Sequence, residues 1–429
     1  MKIAYKSLNT KFRAVLFYLP LLTFYFSLFA FADAKVYVDI TSPTVKKMLI
    51  AIFDFEGPSG DKIAGIIRDD LSFTGLFTYV DKTSYVETLS QPFKPKNWTP
   101  LGIDAVVKGR VTEDKNLAVT VTLYDTFEGK GIFSKQYVAA KDLQRQLAHS
   151  IANDIYSSLT GKAAPFRTKI AFVGEDGGEK GIYIMDWDGH RMTKLGPKGN
   201  LALTPHWSSD GTRLIYSSER GRQWGIYLLN FRKMTEKRLF VSGGINMAGD
   251  FFPDGNSFIF SSSKDGTPDL YEFTIADNTV KKITSTHGIE VSPSISEDGK
   301  YIAFVSDRGG SPQIYVMLSD GGDARRITFE GSYNTSPHWS PSGNRIVFSG
   351  RRGSKNQIFT VKPDGSQLAQ LTDVGNNEDP SFSPDGRYIT FCSDRDMTKG
   401  VYIMRANGEG QKRITPRELK AFGPAWSPN

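Results

Sequence analysis

Pro380-Ser-Phe-Ser-Pro-Asp-Gly-Arg-Tyr-Ile-Thr-Phe391 decides the fold, because its pattern returns about every 44 residues from Phe166 onward. The aromatic position is filled in turn by Trp207, Phe251, Ile295, Trp339, Phe382 and Trp426, and Tyr216, Phe260, Phe304, Phe348 and Phe391 trail the first five. Ile182-Tyr183, Ile226-Tyr227, Leu270-Tyr271, Ile314-Tyr315, Ile358-Phe359 and Val401-Tyr402 form a third register. A fourth ends four of the copies as Ile283-Thr284, Ile327-Thr328, Leu371-Thr372 and Ile414-Thr415. Each copy holds four short runs rich in Ile, Val, Phe, Tyr and Thr, separated by turn pairs such as Asp-Gly, which predicts a four-stranded antiparallel meander. A period of this length with four short strands per unit is that of a β-propeller blade. Helical repeats would carry a 3.6-residue period instead, and none is present.

The two ends of the repeat predict how the ring closes. Residues 166–196 supply only the last three strands of a blade, and Pro424-Ala-Trp-Ser-Pro-Asn429 supplies a leading strand. Five whole blades and two fragments make six. Pairing the final strand with the first blade leaves no open edge and stitches the ring shut without a covalent bond.

Ahead of the repeat stand Lys2, Lys6, Lys11 and Arg13, an apolar run over residues 14–31, and Ala32-Asp-Ala34. This fits a signal peptide over residues 1–34, cleaved between Ala34 and Lys35; an uncleaved anchor is the alternative. Removing it lowers the formal charge of +7 to +4, too weak a balance for a nucleic-acid partner. The sole cysteine, Cys392, sits mid-strand and reads as a small buried thiol, so no disulfide forms within the chain.

Residues 35–162 lack the repeat and read as a small α/β domain. The pattern predicts a buried strand at 48–53, a helix over 59–74 with Ser59 as its cap and Gly75 as its stop, and a strand at 77–80. Strands follow at 104–111, 117–126 and 132–138, the last two joined through residues 128–131. A helix over 141–159 carries Leu143, Leu147, Ile151, Ile155 and Leu159 at four-residue intervals and ends at Gly161. The fold class is therefore mixed: an α/β domain followed, over 163–429, by an all-β six-bladed propeller closed by its C-terminal strand.

Reactive groups are few. There is no Gly-x-Ser-x-Gly elbow. His206 and His338 fill the variable place of the repeat, while His149, His190 and His287 stand alone, as solvated histidines do. The Asp-Gly pairs at 210, 254, 298 and 385 belong to turns. Asp265, Asp307 and Asp394 fall in another loop class, where acids at a channel mouth could hold Ca²⁺; no catalytic residue, other cofactor or metal is expected.

The exported chain, the small α/β domain and the six-bladed ring together resemble the TolB family of the periplasmic Tol-Pal system. The most specific stretches are Leu101-Gly-Ile-Asp-Ala-Val-Val107, Leu159-Thr-Gly161 with Phe166-Arg-Thr-Lys-Ile-Ala-Phe172, and residues 422–428. The resemblance implies a monomeric, non-enzymatic periplasmic adaptor, peripheral to the envelope, serving outer-membrane integrity and cell division. Its mouth loops would bind the lipoprotein Pal through Leu203, Ile245, Asn246, Met247, Ala248, Gly288, Ile289, Glu290, Val291, Tyr333, Asn334, Thr335, Asn377, Glu378 and Phe422. Arg220, Arg308, Arg351, Arg352 and Arg395 would add a basic rim. Lys35, Val36, Tyr37, Val38, Asp39 and Ile40 would contact TolA, and other outer-membrane proteins are further partners. Two other classes share this fold: a propeller hydrolase or lyase, and a propeller that grips a small ligand in its channel.

Overall fold

The computed structural model describes residues 47–196 and 201–428. The signal-peptide reading with its Ala34–Lys35 junction, the strip from Lys35 to Ile40, Asn200 and Asn429 lie outside the described residues.

Strand β1 (Met48–Ile52) pairs in parallel with β2 (Phe77–Tyr79) and with β3 (Ala105–Glu113), and β3, β4 (Leu117–Asp125) and β5 (Lys130–Ala139) continue antiparallel. Alternation along β1 divides its side chains between two layers. Met48, Ile50 and Ile52 meet α1 (Gly60–Phe73) and α3 (Gln144–Thr160), while Ala51 and Phe53 meet Trp98, at the end of the short α2 (Pro95–Trp98). The loop carrying α2 is tied down by a buried ion pair, Lys108 Nζ to Glu87 Oε2 at 2.9 Å.

Three local expectations fail for physical reasons. Ser59 makes no side-chain cap; it sits at φ 59°, and its carbonyl accepts from Ile63 N instead. The β4–β5 hairpin turns at 126–129, where Asp125 Oδ1 accepts from the amides of Phe127 and Glu128, so β5 starts at Lys130 and not at Ile132. Leu143 lies on a 3₁₀ turn before α3 and is exposed; the buried stripe is Leu147, Ile151, Ile155 and Leu159.

The repeat builds six four-stranded sheets. Five begin with the inner strands Leu201–Trp207, Asn246–Phe251, Glu290–Ile295, Asn334–Trp339 and Asn377–Phe382. The sixth pairs Lys420–Trp426 with β6 (Lys169–Asp176), followed by β7 (Glu179–Asp186) and β8 (Thr193–Leu195). Ring closure is also bonded at its foot, where Lys169 N donates to Ser427 Oγ and Trp426 Nε1 donates to Thr168 Oγ1, both at 2.8 Å.

The motif residues now have mechanical roles. In Ser383-Pro-Asp-Gly386 the serine hydroxyl donates to Asp385 Oδ1 and accepts from Tyr388 N, while Gly386 takes φ 69°. The threonines of the fourth register, Thr284, Thr328, Thr372 and Thr415, accept from the backbone amides of Leu270, Ile314, Ile358 and Val401 at 2.9–3.0 Å. The recurring proline marks a bulge. Every inner-strand pairing shifts register at this position, which Gly249 fills in one blade, and Thr204, Ser292, Ser336, Asp379 and Gly423 stand at positive φ just before Pro205, Pro293, Pro337, Pro380 and Pro424.

The first domain docks on the face holding the first-to-second and third-to-fourth strand turns. Phe73 stacks on Tyr388, Arg387 Nη1 donates to the Tyr156 hydroxyl at 2.7 Å, and one hydrophobic core runs from α1 and α3 to Trp187, Ile414 and Trp426. Among the described residues no helix is long and apolar enough to cross a membrane.

Candidate functional site: the propeller mouth and its channel

The connections into each inner strand and the loops between second and third strands meet on the face opposite the docked domain. They are bonded to each other. Ile245 N donates to Ser263 Oγ, Ile289 N to Asp307 Oδ1, Asn376 N to Asp394 Oδ1, and Arg351 N to the Tyr333 carbonyl, at 2.6–2.9 Å. Asp265 accepts from the Tyr271 hydroxyl and pairs with Lys264. The three acids considered for Ca²⁺ thus lie in separate blades, each engaged within its own loops, and among the described residues no three His, Cys, Asp or Glu side chains group to hold a metal ion.

The candidate partner-binding residues divide sharply. Asn246, Ala248, Gly288, Glu290, Asn334 and Asn377 are buried, and the three asparagines lock neighbouring blades together. Asn334 and Asn377 donate to Gln313 Oε1 and Gln357 Oε1 on the preceding blade, which also take the hydroxyls of Thr328 and Thr372. Asn246 donates to the Trp224 carbonyl at 2.9 Å. Glu290, fully buried, takes the Thr286 hydroxyl at 2.8 Å and pairs with Arg308. A side chain so engaged cannot meet a partner without breaking the lock. Leu203, Met247, Val291, Tyr333, Thr335, Glu378 and Phe422 are half-buried around the channel mouth, and Ile245 and Ile289 are exposed, at 51% and 45%.

Sequence reasoning missed three exposed apolar residues on this face: Phe329, Val374 and Met397. They lie in loops where no repeat position marks them, and only their apolar character between polar neighbours could have drawn notice. The arginines expected to add a basic rim are largely engaged with their own blades. Arg220, Arg308, Arg352 and Arg395 each lie over the aromatic ring of their own blade's third strand, and Arg220 and Arg352 also pair with Glu236 and Glu330.

Behind the mouth a channel of about 540 Å³ runs along all six inner strands. A hoop of contacts between successive blades encircles it. Ile295 N donates to Asp250 Oδ2, Trp339 N to Ser294 Oγ, Phe382 N to His338 Nδ1 and Trp426 N to Ser381 Oγ, at 3.0–3.3 Å. The circle is completed by Trp207 Nε1 donating to the Ala425 carbonyl at 3.1 Å, and by His206 Nδ1 lying 2.7 Å from Asp250 Oδ1. Burial works to raise Asp250, but the His206 contact holds it down to about 2. Burial lowers His338, in keeping with a neutral ring whose Nδ1 accepts. The expectation that His206 and His338 serve the repeat matches this geometry. His149 is not solvated; it is buried at the domain boundary.

Comparison with known proteins places this architecture. Residues 156–429 match the family model described as TolB beta propeller domain, and residues 36–132 match the TolB amino-terminal domain. The crystal structure of TolB from Acinetobacter baumannii is 27% identical, with a TM-score of 0.80 over 92% of this chain and 100% of that one. A nidogen/laminin complex (7% identity, TM-score 0.51, 61% of this chain and 98% of that one) and the hydrazine synthase of Kuenenia stuttgartiensis (15%, 0.51, 61% and 46%) share the fold alone. With its propeller and amino-terminal region both matched, the chain belongs to the TolB family.

Proposed function

We propose that this chain is a non-enzymatic adaptor of the Tol-Pal system in the periplasm, which binds the lipoprotein Pal at the propeller mouth and recruits TolA through residues 35–40. The observation that carries the reading is the exposed apolar set Ile245, Ile289, Phe329, Val374 and Met397 on the face away from the docked domain. Apolar side chains held out by bonded loops favour a protein partner that covers them. Family membership supplies the system, and the absence of a nucleophile elbow favours an adaptor over a propeller hydrolase or lyase.

The test is capture of Pal from an envelope extract by the immobilised protein. Recovery of Pal is expected; no Pal together with measurable hydrolase turnover would reverse the reading. Removing residues 35–40 is expected to leave Pal recovery unchanged and abolish that of TolA. Equal loss of both would sink the assignment of that strip.

A further inference from the structure

The boundary between the domains holds a buried ionic cluster for which neither the repeat nor the mouth has any use. His149 on α3 is 2% exposed, with Nδ1 2.7 Å from Asp70 Oδ2 on α1 and Nε2 3.1 Å from Asp188 Oδ2 in the propeller turn after β7, the latter off the line of an ideal hydrogen bond. Arg145, one turn earlier on α3, donates from Nε to Asp188 Oδ2 at 2.7 Å. Behind this, Gln146 donates to Asp186 Oδ2, whose other oxygen holds Lys169 Nζ at 2.7 Å. The Trp187 ring closes the remaining side, 6.2 Å from the imidazole.

Chemistry selects one state of this ring. Both nitrogens face carboxylate oxygens, and only the imidazolium donates from both; a neutral ring turns one lone pair toward an acceptor. Charge count agrees. Asp70, Asp188, Arg145 and a protonated His149 sum to zero, whereas a neutral His149 leaves one buried negative charge without a cation. We propose that His149 is a proton-operated clamp: protonated, it fastens the first domain to the propeller through Asp188, and loss of its proton loosens that junction.

The groups facing the ring set the pH window. Burial alone would lower His149, but Asp188 and Asp70 outweigh it and lift the ring to about 9. Burial pushes Asp70 up to about 6 against the pull of His149. Asp188, also buried, is held well below the usual carboxylate range by His149 and Arg145. A raised histidine stabilises fully below its unfolded value of about 6.5 and loses that contribution as pH rises through about 9. Asp70 opposes burial once charged, above about 6, and the imidazolium offsets it until its own proton leaves. Asp188 acts the other way, its share being lost only in acid. The displacement of His149 corresponds to at most a few hundred-fold in docking, on the order of 10²; Asp70, within the same domain, supplies part of it without docking.

The test is amide hydrogen exchange of the protein, corrected for intrinsic rate, read at residues 144–160 and 186–190 across roughly pH 7 to 10.5. Wild type is expected to lose about tenfold or more protection at 186–190 as pH passes about 9. His149→Gln is expected to show the loosened state already at pH 7, with no step. Asp188→Asn, which keeps the Asp70–His149 pair, is expected to loosen 186–190 while sparing 144–160. A flat wild-type profile, or a step of the same size in Asp188→Asn, would overturn the proposal. Should His149→Gln not fold, the wild-type titration and Asp188→Asn decide alone.

Discussion

Deleting residues 425–429 is expected to lower stability by more than about 5 kcal/mol and to abolish the single cooperative transition of the ring. Trp426 is buried, and losing a buried tryptophan alone costs about 3–5 kcal/mol. The deletion also takes the Trp426–Thr168, Ser427–Lys169 and Trp207–Ala425 hydrogen bonds, and it leaves residues 169–171 at the foot of β6 as an unpaired edge. A loss of that size corresponds to a melting temperature lower by about 10–20 °C for a ring of this size. Calorimetry of the truncated protein checks it, with Trp426→Ala as a milder companion. An unchanged melting temperature in both would mean that the ring does not depend on this closure.

Glu290→Lys is expected to destabilise the propeller by about 3–5 kcal/mol or more, because it places a second cation against Arg308 at a site with no exposure to solvent. Glu290→Gln, which keeps an acceptor for the Thr286 hydroxyl, is expected to cost less. Denaturant unfolding measures both. The mouth position of Glu290 suggests a binding contact that charge reversal would weaken without unfolding; its burial turns the same change into a test of stability. Glu378, half-buried and bonded to Lys399, Asn356 and Asn376, stands between these cases. A Glu290→Lys protein as stable as wild type would show that the buried Glu290–Arg308 pair carries little energy.

The ring was legible because each blade solves the same packing problem with the same residues. Trp207 and its equivalents, the Ser-Pro-Asp-Gly turn and the recurring threonine each make a local contact repeated at a fixed spacing, so the spacing alone reveals them. The bulge had a signal too: a proline inside an otherwise regular strand belongs at a bulge or an edge, and Pro293, Pro337, Pro380 and Pro424 all obey. The site was less legible. Loop variation marked the mouth as a region, but it hid the recurrence of Asn246, Asn334 and Asn377 at the spacing of the repeat, the signal that separates Asn334, turned inward to Gln313, from Ile289, turned outward. His149 was invisible for a different reason. Its partners are far away in sequence, Asp70 on another helix of the same domain and Asp188 in the propeller, and no local pattern records contacts made only when the helices pack and the domains dock.

The claim that matters most is that the exposed apolar rim grips a protein partner. Calorimetric titration of purified Pal into the protein and into Ile245→Glu/Ile289→Glu tests it directly. Neither side chain is buried, so the variant is expected to melt like wild type while its affinity for Pal falls about tenfold or more, as expected where charges replace apolar contacts in an interface. Unchanged affinity in a folded double variant would place the partner elsewhere and contradict the account.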